Sequence, residues 1–394
     1  MTKASFASIM GNKSHPGRTS MSLTEYRRLF PITEEYAYLN HAATAPYSGP
    51  VARAMDDFVA NRHRRGGLDS QKWEDRLEQV RGLVAQLIAA DPEEIAFTSN
   101  TSHSLNIVAS GIDWREGDNL IGAETEFPAN VYPWLNLQRL GVEVRLAPAR
   151  DNRILVEDIA ALMDERTRLV ALSFVEFATG FRNDLRAIGQ LCRERGIYFC
   201  VDGIQGLGAL DLKVTQSPID FLATGGPKWL MGPIGVGFLY CRRALIEKLI
   251  PTRVGWWSVV DRDDYFRYDS PLRDDARRFE EGSLNFLGIH GLGASLELLL
   301  EIGIPRIEER VLSLTDYLIA GLQRRGYNIT TPIASPQERS GIVCFNHPHH
   351  ALDDLEQRLR KARVIISKRS QVIRVSPHFY NDETDIDQLL NALP

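Results

Sequence analysis

The chain has 394 residues, 44% of them hydrophobic and 25% charged, with a net charge of -5. That length accommodates one large domain plus a smaller one, and the composition is that of a globular protein. A pI near 6 gives no electrostatic case for nucleic acid or an anionic membrane as partner, and no apolar run reaches the length of about 18 residues that a membrane span needs.

The first 20 residues are polar and lack the apolar core of a signal peptide, so residues 1–22 are expected to form a flexible arm. RLEQVRGLVAQLIAA, from Arg76, has helical spacing; EIAFTS reads as a strand and HSLNIVASGI as a helix beginning near His103. NLIGAETEF, VEVRLAP, RLVALSFVEF, IYFCVDG, FLATGG and GVGFLYC read as further strands, with helices between most of them. Such alternation predicts an α/β fold whose mostly parallel sheet lies between helices. GASLELLLEIGI through LIAGLQRRGY is helical and leads into a smaller C-terminal α/β domain, with GIVCFN, RVIIS and VIRVS as strands and ETDIDQLLNAL as the last helix. The expected division is a large domain over 23–290 and a small one over 291–394. Cys192, Cys200, Cys241 and Cys344 form no CxxC pair, so a zinc site is not expected, and reduced thiols fit a cytoplasmic protein.

Two short runs carry chemistry. Lys228 sits in ATGGPKWLMGPIGVGFLY, on a glycine-rich turn among apolar neighbours. Desolvation there lowers an ammonium's pKa, and a neutral amine can form a Schiff base with a carbonyl. The plain alternative is a lysine with a packed stem and a solvated head. Asp202 ends the apolar strand IYFCVD, and parallel sheets bind ligands beyond the carboxyl ends of their strands. Strand-end aspartates also cap helices or bind metal. An amine near a strand-end carboxylate suits a cofactor with an aldehyde and a protonated ring nitrogen, as in pyridoxal 5'-phosphate (PLP).

VDGIQ followed by GGPKWLMGPIGVG resembles the class V, fold type I PLP enzymes of the cysteine desulfurase and isopenicillin epimerase-like group. The resemblance runs from YLNHAATAP at Tyr38 to NDETDIDQL at Asn381 onward. It implies that Lys228 bonds the PLP aldehyde, Asp202 pairs with the pyridinium nitrogen and Gln205 hydrogen-bonds the ring hydroxyl. Phe127, in ETEFPANVYPW, would stack on the ring. Thr101 and Ser102, in TSNTSHSLN, would hold the phosphate; a helix N-terminus favours an anion by about 0.3–1 kcal/mol, although the same residues also read as an ordinary N-cap. Ser283, in RFEEGSLNF, would reach a partner's phosphate, which implies a homodimer. Arg374, in VIRVS, would clamp an amino acid's α-carboxylate with two parallel bonds. Asn40 and His41 are expected to line the substrate entrance, and Trp256 and Trp257 either wall the pocket or fill core.

Departures from the pattern bear on the reaction. A desulfurase carries a mobile cysteine shortly before that arginine, whereas this stretch reads VIISKRSQVIRVS. Gly225 and Pro227 stand where many desulfurases have a serine and a histidine. The resemblance therefore implies an aminotransferase-type or β-elimination (C–S lyase-like) enzyme acting at the α-carbon of a small-molecule amino-acid substrate, with epimerase or cyclase chemistry, or PLP binding without turnover, as alternatives. Persulfide-forming desulfurase activity is not expected. A nucleotide-binding reading fails because GGPKW lacks the spacing of a phosphate-binding loop and GIQGLG that of a dinucleotide site.

Overall fold

The computed structural model describes residues 22–394. The arm expected over 1–22 lies outside them apart from Ser22. In chain order the strands are β1 (Ala37–Tyr38), β2 (Ile95–Thr98), β3 (Asn119–Ala123), β4 (Glu143–Ala147) and a small hairpin of β5 (Ala149–Arg150) and β6 (Arg153–Ile154). Then come β7 (Thr167–Ser173), β8 (Tyr198–Asp202), β9 (Phe221–Gly225) and β10 (Gly237–Cys241). β2, β10, β9, β8, β7, β3 and β4 form one sheet in that order. β10 runs antiparallel to both its neighbours, and every other pairing is parallel.

Side chains alternate between two cores across this sheet, as the pleat requires. Phe199, Val201, Leu222 and Phe238 enter one core with helices Ser70–Ile88 and Phe286–Ile302. Cys200, Phe221, Ala223 and Leu239 enter the other, under helix Thr101–Gly111. Helices thus cover both faces, which explains why the strands read as unbroken apolar runs.

The remaining strands are β11 (Asn328–Ile329), β12 (Val343–Asn346), β13 (Val364–Ile365), β14 (Ser367–Arg369) and β15 (Val372–Val375). β11, β12, β15 and β14 form an antiparallel sheet. A third core lies here, and Ala37 and Leu39 belong to it. They arrive because β1 pairs with β13, and an isolated bridge joins Asn40 to Ser376. The division expected at residue 290 falls inside the continuous helix Phe286–Ile302, which meets helix Ile304–Arg324 at an 81° bend. No single helix among the described residues is long and apolar enough to cross a membrane.

One buried ion pair fastens the edge of the large sheet. Arg81, on helix Ser70–Ile88, is 1% exposed and donates to Glu280 at 2.7 Å and to the Ile95 carbonyl at 2.8 Å. Glu280 also accepts the Phe97 amide at 2.7 Å. Removing one partner strands the other without solvent, which costs about 3–5 kcal/mol, whereas replacing both by apolar groups costs much less. Urea unfolding is therefore expected to show a far lower midpoint for Arg81→Ala than for the double variant Arg81→Met/Glu280→Met.

Candidate active site

The parallel strands end along one edge, and the sheet register aligns those ends: Ser173 pairs with Asp202, and Asp202 with Ala223. The segments that follow β2, β3, β7, β8 and β9 carry Thr101, Phe127, Glu176, Gln205 and Lys228 to this edge. The Lys228 turn is built by backbone bonds. The Gly226 amide donates to Val236 and the Gly232 amide to Gly226, both at 2.8 Å, and the Pro227 carbonyl accepts the Ala45 amide at 2.8 Å. Close packing holds it from below: Gly208 has φ 101°, and a Cβ there would lie 2.3 Å from the Trp229 carbonyl oxygen. Trp229, Leu230 and Met231 are buried beside it.

Lys228 is half-buried. Desolvation brings its amine down to about 8, against the upward pull of Asp202, and the charges of Arg374 and Arg369 lower it further. Asp202 is 1% exposed; burial pushes its carboxyl up to about 6, opposed by the Ile204 amide at 3.0 Å and by Lys228. The Lys228 amine lies 5.3 Å from the centroid of the Phe127 ring, which is 41% exposed and packs edge-on against Phe177.

Gln205 is buried, accepts from the Trp229 indole N–H at 3.0 Å and donates to the Ala42 carbonyl at 3.1 Å. Its amide has a second N–H to give. Thr101 and Ser102 are the first two residues of helix Thr101–Gly111 rather than residues before it, because Asn100 supplies the cap by accepting the His103 amide at 2.9 Å. The Thr101 hydroxyl is buried without a hydrogen-bond partner, 3.4 Å from where a Cβ on Gly225 would stand. An unpaired buried hydroxyl at a helix N-terminus is an unmet demand for an acceptor such as phosphate. These groups fit PLP: an amine for the aldehyde, an acid for the ring nitrogen, a spare N–H for the ring hydroxyl and a helix start for the phosphate.

Arg374, on β15, is 1% exposed, and among the described residues its guanidinium hydrogen-bonds only through Nη1, to the Phe177 carbonyl at 2.9 Å. Its Nε is buried without a partner. No carboxylate pairs with it among the described residues, and burial lowers its pKa to about 10, helped by Arg369. A buried guanidinium in that state has hydrogen-bonding capacity left for an anion. Asn40 stands nearby, accepting from Ser367, which pairs with Arg374 across the strands.

His41 does not line an entrance. It is 0% exposed, donates to the Ser376 carbonyl at 2.9 Å and meets the Tyr380 hydroxyl at 2.8 Å, so both ring nitrogens are spent inside the protein. Ser283 is exposed and lines a cavity of about 330 Å³ with Thr98, Ser99 and His103, beside the start of the Thr101 helix; Lys228 does not line it. Trp257 is buried and Trp256 is 43% exposed, so one fills core and the other does not.

Sequence reasoning missed two carboxylic acids. Glu126 is buried and accepts from the Ser173 amide and hydroxyl, both at 2.6 Å. Burial and the neighbouring Glu176 push it well above the usual carboxylate range. Glu176 accepts from Thr125 and Asn183, and burial raises it to about 7. Asp202 closes its strand and these two lie just past the ends of β3 and β7, so a signal like the one that picked out Asp202 was available for them in ETEF and SFVEF.

Only a deprotonated amine attacks an aldehyde. With Lys228 near 8, the rate at which the apoprotein captures PLP is expected to rise from pH 6 to 8 and level off above that, where an unperturbed lysine would keep accelerating to pH 10. Stopped-flow absorbance checks this; a rate still climbing between pH 9 and 10 contradicts it.

Comparison with known proteins shows the family. A family model described as Aminotransferase class-V matches residues 37–389. A probable cysteine desulfurase of Methanothermobacter thermautotrophicus is 31% identical, covering 95% of this chain and 98% of its own. The apo structure of a cysteine desulfurase from Thermococcus onnurineus NA1 superposes with a TM-score of 0.87 and 28% identity over 95% of this chain and 98% of that one. Two structures of the cystine C–S lyase C-DES, one with glycine covalently linked to its PLP cofactor and one with its reaction product cysteine persulfide, give TM-scores of 0.85 at 25% identity. They cover 93% and 92% of this chain and 98% of each of theirs. This chain belongs to the aminotransferase class-V family and is a PLP-dependent enzyme.

Proposed function

We propose that the enzyme acts at the α-carbon of a free amino acid, by aminotransferase-type or β-elimination chemistry. The observation that carries this is Arg374: a buried guanidinium with an unpaired Nε and, among the described residues, no carboxylate partner, its charge felt at Lys228. An α-carboxylate satisfies it with two parallel charge-assisted bonds, which orients the amino acid as well as binding it.

PLP supplies the electron sink for the carbanion left when the α-proton departs. Lys228 would bind the cofactor's aldehyde and, when the substrate amine replaces it, take the α-proton; its depressed pKa suits a base working near neutrality. Asp202 would hold the proton of the ring nitrogen, Gln205 would donate its free N–H to the ring hydroxyl, and Phe127 would cover the ring without a titratable group. Thr101 and Ser102 would hold the phosphate. Ser283 would do so for a second copy of the chain, making the enzyme a homodimer.

Neither reading needs a chain cysteine. All four thiols are buried and free. Cys344 is the one nearest Arg374 in register, but it donates to the Ala178 carbonyl at 3.3 Å, and burial pushes it up to about 12, so the thiolate that attacks substrate sulfur is scarce at neutral pH. The stretch before Arg374 is a tight hairpin in place of a mobile loop. The likeness to the C–S lyase C-DES favours elimination where the substrate carries a leaving group on Cβ, which this site would release as the sulfur-bearing fragment.

Lys228→Ala is expected to abolish the visible absorbance of lysine-bound cofactor and to cut keto-acid or sulfide release by about 10³-fold or more. Turnover that survives in this variant refutes the assignment. Arg374→Lys is expected to raise KM for amino acids about tenfold or more and to change kcat less, since it keeps the charge but loses the fork. An unchanged KM contradicts the clamp.

A further inference from the structure

The hairpin of β14 and β15 carries a cation that the reaction above leaves unused. Its turn is two residues, Ser370 and Gln371, with Ser370 at φ 45°. So short a turn pins the register: Ser367 pairs with Arg374, Lys368 with Ile373 and Arg369 with Val372. Directly paired residues share a face of a sheet, and so do alternate residues along one strand. Ser367, Arg369, Val372 and Arg374 therefore stand on one face, and Lys368 and Ile373 on the other.

The contacts agree with this assignment. On the second face Lys368 pairs with Asp353 and Glu356, and Ile373 is buried in the third core. On the first, Ser367 bonds Asn40 and Arg374 bonds the Phe177 carbonyl. Arg369 is exposed, and its charge is felt by both Lys228 and Arg374. Its hydrogen bond goes to the carbonyl of its own neighbour, Lys368, at 3.2 Å, and among the described residues no carboxylate forms an ion pair with it.

Arg369 and Arg374 are diagonal neighbours on adjacent strands, a spacing of about 7–8 Å that long side chains span. Among the described residues neither guanidinium on this face has a carboxylate partner, and the charge of Arg369 disfavours that of Arg374. A monocarboxylic amino acid satisfies one of them. We propose that the substrate is an amino acid whose side chain ends in a second carboxylate, held by Arg369 while Arg374 holds the α-carboxylate. This rests on the reading of Arg374 given above.

Succinate and butyrate test it without turnover. They match in length and differ in the second carboxylate, and calorimetry on the holoenzyme measures each affinity. Succinate is expected to bind about tenfold tighter or more than butyrate, as a charge-assisted pair implies. In Arg369→Gln the ratio is expected to fall to about one, and in Arg369→Lys to stay in between. Equal affinities in the native enzyme, or a ratio that survives Arg369→Gln, overturn the proposal. Arg374→Lys separates the two readings: weaker binding of both ligands keeps the α-carboxylate clamp even if Arg369 fails, and unchanged binding of both removes the clamp itself.

Discussion

Taking charge out of water is the constraint on which this structure depends. Buried ions are costly unless each is met by a partner, and the protein treats two sets of them differently. Arg81 and Glu280 satisfy each other and two backbone groups, and the result is a fastening. At the carboxyl edge of the large sheet Lys228 and Asp202 have pKa values moved by burial, and on the antiparallel sheet Arg374 keeps a buried Nε with no hydrogen-bond partner among the described residues. The result is an amine with a lowered pKa, an acid held above its usual pKa and a buried arginine with one N–H free for an anion. Glu126 and Glu176 extend this set behind Asp202, each supported by a hydroxyl and an amide N–H.

The geometry follows from sheet topology. Parallel strands deliver all their following loops to one edge, so Thr101, Phe127, Gln205 and Lys228 converge although they span more than a hundred residues. The antiparallel sheet closes the other side and brings Arg374 opposite. β1 and the bridge from Asn40 to Ser376 bind the early chain to that second sheet, which puts Asn40 beside the arginine. The same placement buries His41 between Ser376 and Tyr380.

Much of this was legible from local pattern. Fully buried parallel strands have continuous apolar runs, so NLIGA, YFCVD and FLATG could be recognised without a structure, and the helix–strand alternation implied their parallel order. The family resemblance supplied roles for residues whose local setting allowed several, such as Thr101, which also reads as part of a helix start. His41 was misjudged because a histidine in a polar-looking segment says nothing about burial until β1 finds β13. Glu126 and Glu176 were passed over because an acid after an apolar run is common, and only the neighbouring strands show that these two have no water.

By itself the sequence determined the α/β class, the lysine turn, the strand-end acid, the arginine, and the lack of a cysteine in the stretch before it. Each of these is a matter of residue type and spacing within a few turns of chain. The tertiary structure decided which charges go unpaired, that Cys344 is sealed against Ala178, and that Arg369 shares a face with Arg374 while Lys368 turns away. Those outcomes depend on strand register and on contacts between distant segments, and a linear pattern carries no information on which partner a buried group will lack.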